Sequence, residues 1–432
     1  MRSPAQPVFH GRCCGRSDVE GDGVSQGQGA KRKRGLRVEH VVEQSAATNL
    51  ELFFDLVFVF ALTQITKLIS SDLTGTGVLH GFLVLAIVWW CWVDYSWLAN
   101  VVKADEGVTR AAMLAAMAAM FIIALVVPEA FTDLPGGLSG PTVVACAYLV
   151  LRAVHVAQFV VASRDDPHLR RQVLLFAGTM AGSTALLLAA GSMDGATQTM
   201  LWCVAVVVDY GGTLAIGNQG WRVNSAKHFA ERHGLIVIIG LGESIVAVGA
   251  GVAHLPISWP IILAAVLGLS LSASLWWAYF DTTALRAEHA LTQARDHHRS
   301  AMAQTAYTYL HLPIVGGIAL VALGMEHVLE YVGGHAHHSL SDPLKGIPLA
   351  ALLGGAALYL LAVAAFGKRT YGEFKTVRAV LAAALLALYP AISLLPAIGA
   401  LATVTVLLAG LNLYETLHHR PLRHSVRHGH HA

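Results

Sequence analysis

Apolar segments of membrane-spanning length alternate with short polar loops along most of the chain. Each segment holds about 20 mainly apolar residues, the length that an α-helix needs to cross the hydrocarbon core of a bilayer. The last two segments are separated only by a turn around Pro396. The pattern predicts an all-α polytopic membrane protein with about 12 transmembrane helices. The predicted spans are residues 50–70, 78–102, 109–130, 141–163, 170–190, 196–217, 229–252, 258–281, 300–323, 346–366, 376–393 and 395–415.

Basic residues occupy alternate loops between these spans. The intervening loops, with sequences SDLTGTG, FTDLPGGLSG, GSMDGA and VAHLPIS, contain no Lys or Arg. Cytoplasmic loops of membrane proteins are enriched in Lys and Arg, so this alternation predicts an even number of spans with both termini in the cytosol. The basic groups are Lys103 with Arg110; Arg164 with Arg170 and Arg171; Arg222 with Lys227 and Arg232; Arg286 with Arg295 and Arg299; and Lys368 with Arg369, Lys375 and Arg378.

Polar, charged tails flank the predicted spans. Residues 1–45 are rich in Gly and charge and contain no apolar stretch typical of a signal peptide, so they are predicted to form a disordered cytosolic tail. Their KRKR run stands shortly before the first span, where a basic cluster keeps the N-terminus in the cytosol. Residues 418–432 are predicted to be a basic, His-rich cytosolic tail.

The composition excludes an ordinary soluble protein. Hydrophobic residues make up 55% of the 432 residues, charged residues 13%, and the mean hydropathy is +0.57. Soluble domains contain about 25% charged residues. The net charge of +2 gives no reason to expect nucleic acid. The expected partners are the lipid bilayer and an unknown small-molecule or lipid substrate, and the oligomeric state is left open.

Neither a metal site nor a cofactor site is predicted. The predicted outward loop that holds GHAHH (residues 334–338) also carries Glu326, His327 and Glu330, which have the atoms that bind zinc. Loop residues without a fixed scaffold are more often simply polar than metal ligands. Sequences typical of dinucleotide, phosphate or metalloprotease sites do not occur. The sequence therefore predicts no metal and no cofactor.

Two short matches suggest an internal repeat. The sequence WWCWVD ends at Asp94 in the second span, and WWAYFD ends at Asp281 in the eighth. RAAM then begins at Arg110 and RSAM begins at Arg299, at nearly the same spacing. Because six spans is an even number, such halves would be parallel repeats. The predicted halves are residues 46–217 and 222–417.

The same four charged residues predict a cytosolic gate. Asp94 and Asp281 each end a span, and an Arg opens the next span after a basic loop. Consecutive helices joined by a short loop are neighbours, so their ends are within reach of each other. We expect Asp94 with Arg110, and Asp281 with Arg299, to form paired latches that close the cytosolic side. The alternative is that these are ordinary charges at helix ends.

The first span contains two carboxylates, Glu51 and Asp55, within the sequence ELFFDLVFVFALTQ. An Asp at the centre of a membrane helix costs roughly 2.5–3.5 kcal/mol on insertion scales and usually serves a function there. The two residues are one helical turn apart on one face, and close like charges resist simultaneous ionisation. They are therefore candidate proton carriers. An equally open explanation is a helix cap together with a buried hydrogen-bond acceptor.

Further polar residues are predicted near the bilayer midplane. Glu243 lies in GLGES of the seventh span, Arg152 and His155 in the fourth, and His311 in the ninth, before a predicted Pro313 kink. A buried Arg cannot be neutralised as a carboxylate can, so Arg152 requires an acidic partner, either Glu243 or Asp209. The predicted substrate and proton site is Glu51, Asp55, Arg152, His155, Asp209, Glu243 and His311.

Four of these segments carry a resemblance to a known family. ELFFDLVFVFAL at residues 51–62, Glu231–Gly249, Trp276–Phe280 and Tyr307–Ile318 resemble, in this order, the low temperature requirement protein A (LtrA) family of bacterial membrane proteins. The resemblance covers roughly residues 45–415. It implies a multi-pass protein of the bacterial inner membrane but no settled substrate, since the family is named for a growth phenotype.

Two functions remain open from the residues. The first is a transporter-like protein with a proton-titratable central site, because charges at one depth on different helices need a shared cavity. The second is a membrane-embedded enzyme acting on a lipid or isoprenoid, in which Glu243 or Asp55 is a general acid and tryptophans stabilise a cationic intermediate. A sensor of membrane state is a third class that no particular residue favours.

Overall fold

A computed structural model describes residues 47–218, 220–252, 256–334 and 338–418. The predicted N-terminal tail at 1–45 and nearly all of the predicted tail at 418–432 lie outside the described residues. Within the described part of the chain the fold is all-helical and contains no strand. The helices are α1 Asn49–Ser71, α2 Gly75–Val101, α3 Gly107–Val126, α4 Gly140–Ala162, α5 Pro167–Ala190, α6 Gly195–Ile216, α7 Ala226–Ala250, α8 Trp259–Phe280, α9 Thr283–Gln293, α10 Asp296–Met302, α11 His311–Val332, α12 Gly346–Tyr371, α13 Thr376–Ala387, α14 Tyr389–Ile392 and α15 Ala397–His418.

The long helices have the length and surface of membrane spans. Among the described residues, 11 helical stretches are long and apolar enough to cross a bilayer. Many of them expose large apolar side chains, as at Val207 (67% exposed) and Leu56 (58%). Lipid can solvate such side chains, whereas water cannot do so without cost. The prediction of an all-α polytopic membrane protein is confirmed.

The twelfth predicted span, residues 376–393, has a different form. The chain makes the 12-residue helix α13 there, followed by the four-residue helix α14. Pro390 lacks an N–H group and so cannot continue the hydrogen-bond ladder of α13. Twelve residues rise about 18 Å, which is short of a hydrocarbon core of about 30 Å. The exact number of spans, and the division into halves at 46–217 and 222–417, stay predictions.

Helix α2 lies at the centre of the bundle. It contacts α1, α4, α6, α7 and α11, and its tryptophans Trp89, Trp90 and Trp92 are buried. A helix that is apolar on all sides must be surrounded by protein or lipid, and here protein covers most of it. Side chains from α2 therefore reach several other helices.

Helices α11 and α12 pack through glycines. A Cβ atom at Gly355 would lie 2.8 Å from the carbonyl oxygen of Gly317, and one at Gly324 would lie 2.7 Å from the Cβ of Leu352. Small residues let membrane helices approach closely enough for backbones to touch. This contact fixes α11, which carries His311, against α12.

A π-helical segment, Ala303–Tyr309, joins α10 to α11. It ends four residues before Pro313, where the sequence predicts a kink. Proline has no N–H to donate, so the preceding carbonyls need other partners. The Trp89 indole N–H donates to the carbonyl oxygen of Thr308 at 2.9 Å, and the Trp97 indole N–H donates to the Thr308 hydroxyl at 2.9 Å. Helix α2 thus binds the irregular segment with two tryptophans.

Candidate functional site

Arg152 of α4 is buried between two carboxylates, and we call this group the Arg152 cluster. Its Nη1 donates to Asp94 of α2, and its Nη2 donates to Asp209 Oδ1 of α6 at 2.9 Å. The Tyr148 hydroxyl donates to the second oxygen of Asp209. Arg152, Asp94 and Asp209 are at most 3% exposed. If both carboxylates are ionised, they carry two negative charges, and Arg152 compensates only one of them.

His155 belongs to the same cluster. Its Nε2 lies 3.0 Å from the carbonyl oxygen of Asp94, which can only accept a hydrogen bond. The proton of a neutral His155 is therefore on Nε2, and Nδ1 is left with a free lone pair. Nδ1 lies 3.7 Å from Asp94 Oδ2 and has no hydrogen-bond partner among the described residues. His155 can thus accept a proton or a hydrogen bond next to Asp94.

Arg232 of α7 forms a second buried group with the two carboxylates of α1, which we call the Arg232 cluster. Its Nη2 donates to Asp55 Oδ1 at 2.9 Å, and its Nη1 lies 4.0 Å from Glu51 Oε1. The Trp92 indole N–H donates to the same Asp55 oxygen at 2.7 Å. These carboxylates outnumber the arginine, as in the Arg152 cluster. All three charged side chains are at most 1% exposed.

Glu51 also caps the first turn of α1. It closes a capping box at the start of α1, because its Oε2 accepts the Thr48 backbone N–H at 2.6 Å. His228 Nε2 lies 3.1 Å from Glu51 Oε1. Asn100 donates an amide N–H to His228 Nδ1 at 3.3 Å, so the His228 proton is on Nε2 and faces Glu51. Glu51 is therefore a helix cap and a member of a buried ion cluster.

Asn100 also fixes the loop between α6 and α7. Its amide N–H donates to the carbonyl of Ser225 at 2.7 Å, and its amide oxygen accepts the backbone N–H of Asn224 at 2.7 Å. The loop is therefore attached to the last turn of α2. This places Trp221 of the same loop over the end of α2 that holds Trp97, with ring centroids 5.7 Å apart.

Two histidines lie beyond Trp92. The His233 ring is 5.1 Å from that of Trp92 and 5.1 Å from that of His311. The Tyr279 hydroxyl lies 2.8 Å from His311 Nε2. His233 Nε2 and the Tyr307 hydroxyl are buried and have no partner in the described part of the chain. His311 thus lies near the Arg232 cluster rather than the Arg152 cluster.

A pocket opens beside the Arg152 cluster. It holds about 420 Å³ of empty space, including its opening. Asp94 and His155 form its polar wall, and Asn218 and Trp221 place it at the end of the bundle where the α6–α7 loop lies. We call it the tryptophan pocket, and its lining residues are Trp90, Val93, Asp94, Trp97, His155, Phe176, Thr213, Asn218, Trp221, Gln304 and Thr308.

Glu243 lies apart from both clusters. It is ten residues beyond His233 on α7, beside Thr63 and Lys67 of α1 and Glu326 of α11. Its distance along α7 from the cluster residues is therefore about 15 Å. Depth alone placed Glu243 near Arg152 in the sequence prediction. The structure pairs Arg152 with Asp209, the other predicted partner, and with Asp94 rather than Glu243.

The structure differs from the predicted latch between Asp94 and Arg110, whereas the latch between Asp281 and Arg299 stays a prediction. Asp94 contacts Arg152, while Arg110 donates its Nε to the backbone carbonyl of Asp105 at 2.6 Å on the surface. Arg299 donates to two carbonyls of its own loop region, those of Thr292 and Ala294. A buried arginine needs a counter-charge more than a solvated arginine does, so Asp94 pairs with Arg152 rather than with Arg110. Asp281 is 8% exposed at the end of α8.

Comparisons with known proteins identify the family of this chain. The family model for the bacterial low temperature requirement A protein (LtrA) matches residues 46–413. The chain belongs to the LtrA family. An uncharacterized protein of Rhizobium meliloti (strain 1021) is 29% identical to it over 310 residues, which is 68% of this chain and 72% of that protein. No solved structure matches.

The LtrA resemblance in the sequence is thereby confirmed, and its motifs meet in space. The first motif supplies Glu51 and Asp55, and the second supplies Arg232 and His233. The last supplies Thr308 and His311, which lie beside Trp89 and Tyr279 respectively. In this LtrA protein the first, second and last motifs therefore lie against Trp89 and Trp92 of α2, and the third contacts the last through Tyr279.

Arg232, His228 and Asn100 were not recognised in the sequence as site residues. Arg232 stands at the start of a span and was counted among the basic loop residues. The signal that could have found it is the one used for Arg152: two intramembrane carboxylates also require a cation. Arg232 is the cation at a depth that matches Glu51 and Asp55.

Proposed function

We propose that this LtrA-family chain is a proton-coupled membrane carrier of a small solute, with the Arg152 cluster and the tryptophan pocket as its central site. The observation that supports this most is the position of Asp94. It accepts from Arg152 in the buried cluster and also forms the wall of the pocket. A solute in the pocket and a proton on Asp94 would then compete for one carboxylate, which is how transport and proton movement become coupled.

Glu51 and Asp55 are proposed to carry protons towards the cytosol. The Arg232 cluster lies on the other side of α2 from the pocket, and Trp92 and His233 lie between Asp55 and His311. Carboxylates and histidines in series are typical of proton relays in membrane proteins. In this proposal Glu243 is a proton-binding residue of the relay that lies farther from the cytosol, and it is not part of the pocket.

The π-helical segment is proposed to move during transport. Gln304 and Thr308 of this segment line the pocket, and π-helical turns often occur at functional sites. The tryptophans that bind Thr308 would hold the segment in one of two positions. We propose further that the pocket opens to the cytosol, with both termini on that side of the bacterial inner membrane, as the positions of the basic loops predict.

Uptake into proteoliposomes tests this function. The full chain is reconstituted, and a panel of cationic, neutral and anionic solutes is tested with and without a pH gradient. We expect at least one solute to be taken up faster with the gradient, and Asp94→Asn to abolish the difference. Glu106→Gln removes a carboxylate that is 42% exposed in the α2–α3 loop and should leave uptake unchanged. Uptake that never responds to pH would overturn the proposal.

The lipid or isoprenoid enzyme is the second candidate. The observation in its favour is the aromatic wall of the pocket, since tryptophan faces stabilise cations. An enzyme must change a product pool, whereas a carrier need not. Lipid analysis of cells with and without the gene separates the two functions: a lipid species that disappears with Asp94→Asn would favour the enzyme.

A further inference from the structure

The tryptophan pocket combines aromatic faces with a carboxylate. Trp221 lies edge to face against Trp97, with ring centroids 5.7 Å apart, and against Phe176, with centroids 6.0 Å apart. His155 lies edge to face against Phe176 at 6.3 Å. Asp94 completes this ring of side chains. Aromatic faces attract cations through the ring quadrupole, and they do so more strongly where water is excluded.

The charges around Asp94 favour a cation. Arg152 and His155 face it from α4, and Asp209 of α6 shares Arg152 with it. With His155 neutral and both carboxylates ionised, one negative charge remains uncompensated beside the pocket. Arg222, which follows Trp221 in the α6–α7 loop, is 72% exposed and lies 3.9 Å from Asp166, so a counter-charge and water both weaken its field.

Two buried polar atoms in the pocket wall have no hydrogen-bond partner among the described residues. His155 is 2% exposed, and its Nδ1 is an unpartnered acceptor. Trp90 is 1% exposed, and its indole N–H is an unpartnered donor. A buried polar atom without a partner is destabilising, so these atoms are expected to meet water or a ligand. An ammonium N–H satisfies the His155 acceptor.

We infer that the tryptophan pocket binds a small organic cation, a protonated amine with an apolar group, in exchange for the proton of Asp94. The ammonium group lies between Asp94 and His155, and the apolar group lies against Trp97 and Trp221. When the cation binds, the O–H bond of a protonated Asp94 breaks, and the proton leaves through the pocket mouth to water. The charge of the site is the same before and after the exchange. This inference rests on the proposed function and names its substrate class.

A matched set of ligands tests the inference. The probes are 2-phenylethylammonium, 2-phenylethanol and phenylacetate, which share a ring and a similar chain length but carry a positive, no and a negative charge. Binding to the purified full chain is measured by isothermal titration calorimetry at constant pH, in two buffers of different ionisation enthalpy to count released protons. We expect the ammonium compound to bind at least about tenfold more tightly than the alcohol, with proton release.

Variants separate charge from aromatic contact. Asp94→Asn should weaken binding of the ammonium compound at least about tenfold and abolish proton release. Trp221→Leu should weaken it roughly 2- to 30-fold, the range of a cation–π contact, and Trp221→Phe should weaken it less. Trp276→Leu is the control, because Trp276 is 39% exposed on α8 and does not line the pocket. Thermal unfolding of each variant shows that it is folded.

The inference is overturned if phenylacetate or 2-phenylethanol binds as tightly as the ammonium compound, or if none of the three binds to the wild-type chain. These results are distinct from failure of the proposed function. Proton-coupled uptake of a neutral or anionic solute in proteoliposomes would support the carrier function. It would contradict only the inference that the substrate is an organic cation. A wild-type affinity that Asp94→Asn leaves unchanged would also contradict the inference.

Discussion

Trp92 and Asp94 stand two positions apart on α2 and serve different ion clusters. The Trp92 indole N–H donates to Asp55 at 2.7 Å, whereas Asp94 accepts from Arg152. Two positions on a helix are about 200° apart around its axis, so the side chains point in nearly opposite directions. Any rotation or shift of α2 therefore acts on both clusters at once. This arrangement gives the Arg152 cluster and the Arg232 cluster a physical connection.

Removing Arg152 should destabilise the protein strongly. Arg152→Met leaves Asp94 and Asp209 buried without their cation, and breaking a buried ion pair costs about 3–5 kcal/mol. Thermal unfolding in detergent measures the effect. Adding Asp94→Asn and Asp209→Asn to Arg152→Met should restore most of the lost stability, since no uncompensated charge then remains. A triple variant less stable than the single variant would contradict this account.

Asp55 and Arg232 should be coupled energetically. A double-mutant cycle with Asp55→Asn and Arg232→Gln is expected to give an interaction energy of about 2–3 kcal/mol, because both groups are buried. The comparison pair is Lys103 with Glu106, whose side chains are 35% and 42% exposed. Exposed pairs contribute about 0–1 kcal/mol. Equal interaction energies for the two pairs would show that the Arg232 cluster is not sealed from water.

Arg110 should matter little for stability. It donates to a backbone carbonyl on the surface, and substitutions at such sites change stability by about 0.5 kcal/mol or less. We therefore expect Arg110→Gln to unfold at nearly the wild-type temperature and Asp94→Asn, which removes one of the two charged acceptors of buried Arg152, to unfold at a lower one. Matching losses in the two variants would instead support a latch between Asp94 and Arg110.

The adjacent glycines 354 and 355 form a matched pair for testing helix packing. A Cβ at Gly355 would meet Leu320 at 2.7 Å, while a Cβ at Gly354 would meet nothing within 4 Å. Gly355→Ala should therefore separate α11 from α12 and lower the unfolding temperature. Gly354→Ala should leave it unchanged or raise it, because alanine favours the helix by about 0.8–1.0 kcal/mol. The reverse order of stabilities would rule out the close packing of these helices.

Much of the fold can be predicted from the sequence, because long apolar runs and alternating basic loops each indicate how the chain crosses the membrane. The pairing of polar side chains within the bundle is harder to predict from the sequence. Depth was sufficient to suggest Asp209 for Arg152, and the structure brings the two together. Depth also suggested Glu243, which the structure places elsewhere, because depth carries no information about which helix faces another. Contacts between helices far apart in sequence are set by packing, which no local pattern encodes.

Solute-driven proton movement shows whether solute and proton share Asp94. Liposomes containing the purified chain and a pH-sensitive dye are prepared without a pH gradient, and one transported solute is added outside. We expect the internal pH to change with the wild-type chain and with Glu106→Gln, and to stay constant with Asp94→Asn. An identical change of internal pH with the wild-type chain and Asp94→Asn would contradict the claim that solute and proton share Asp94.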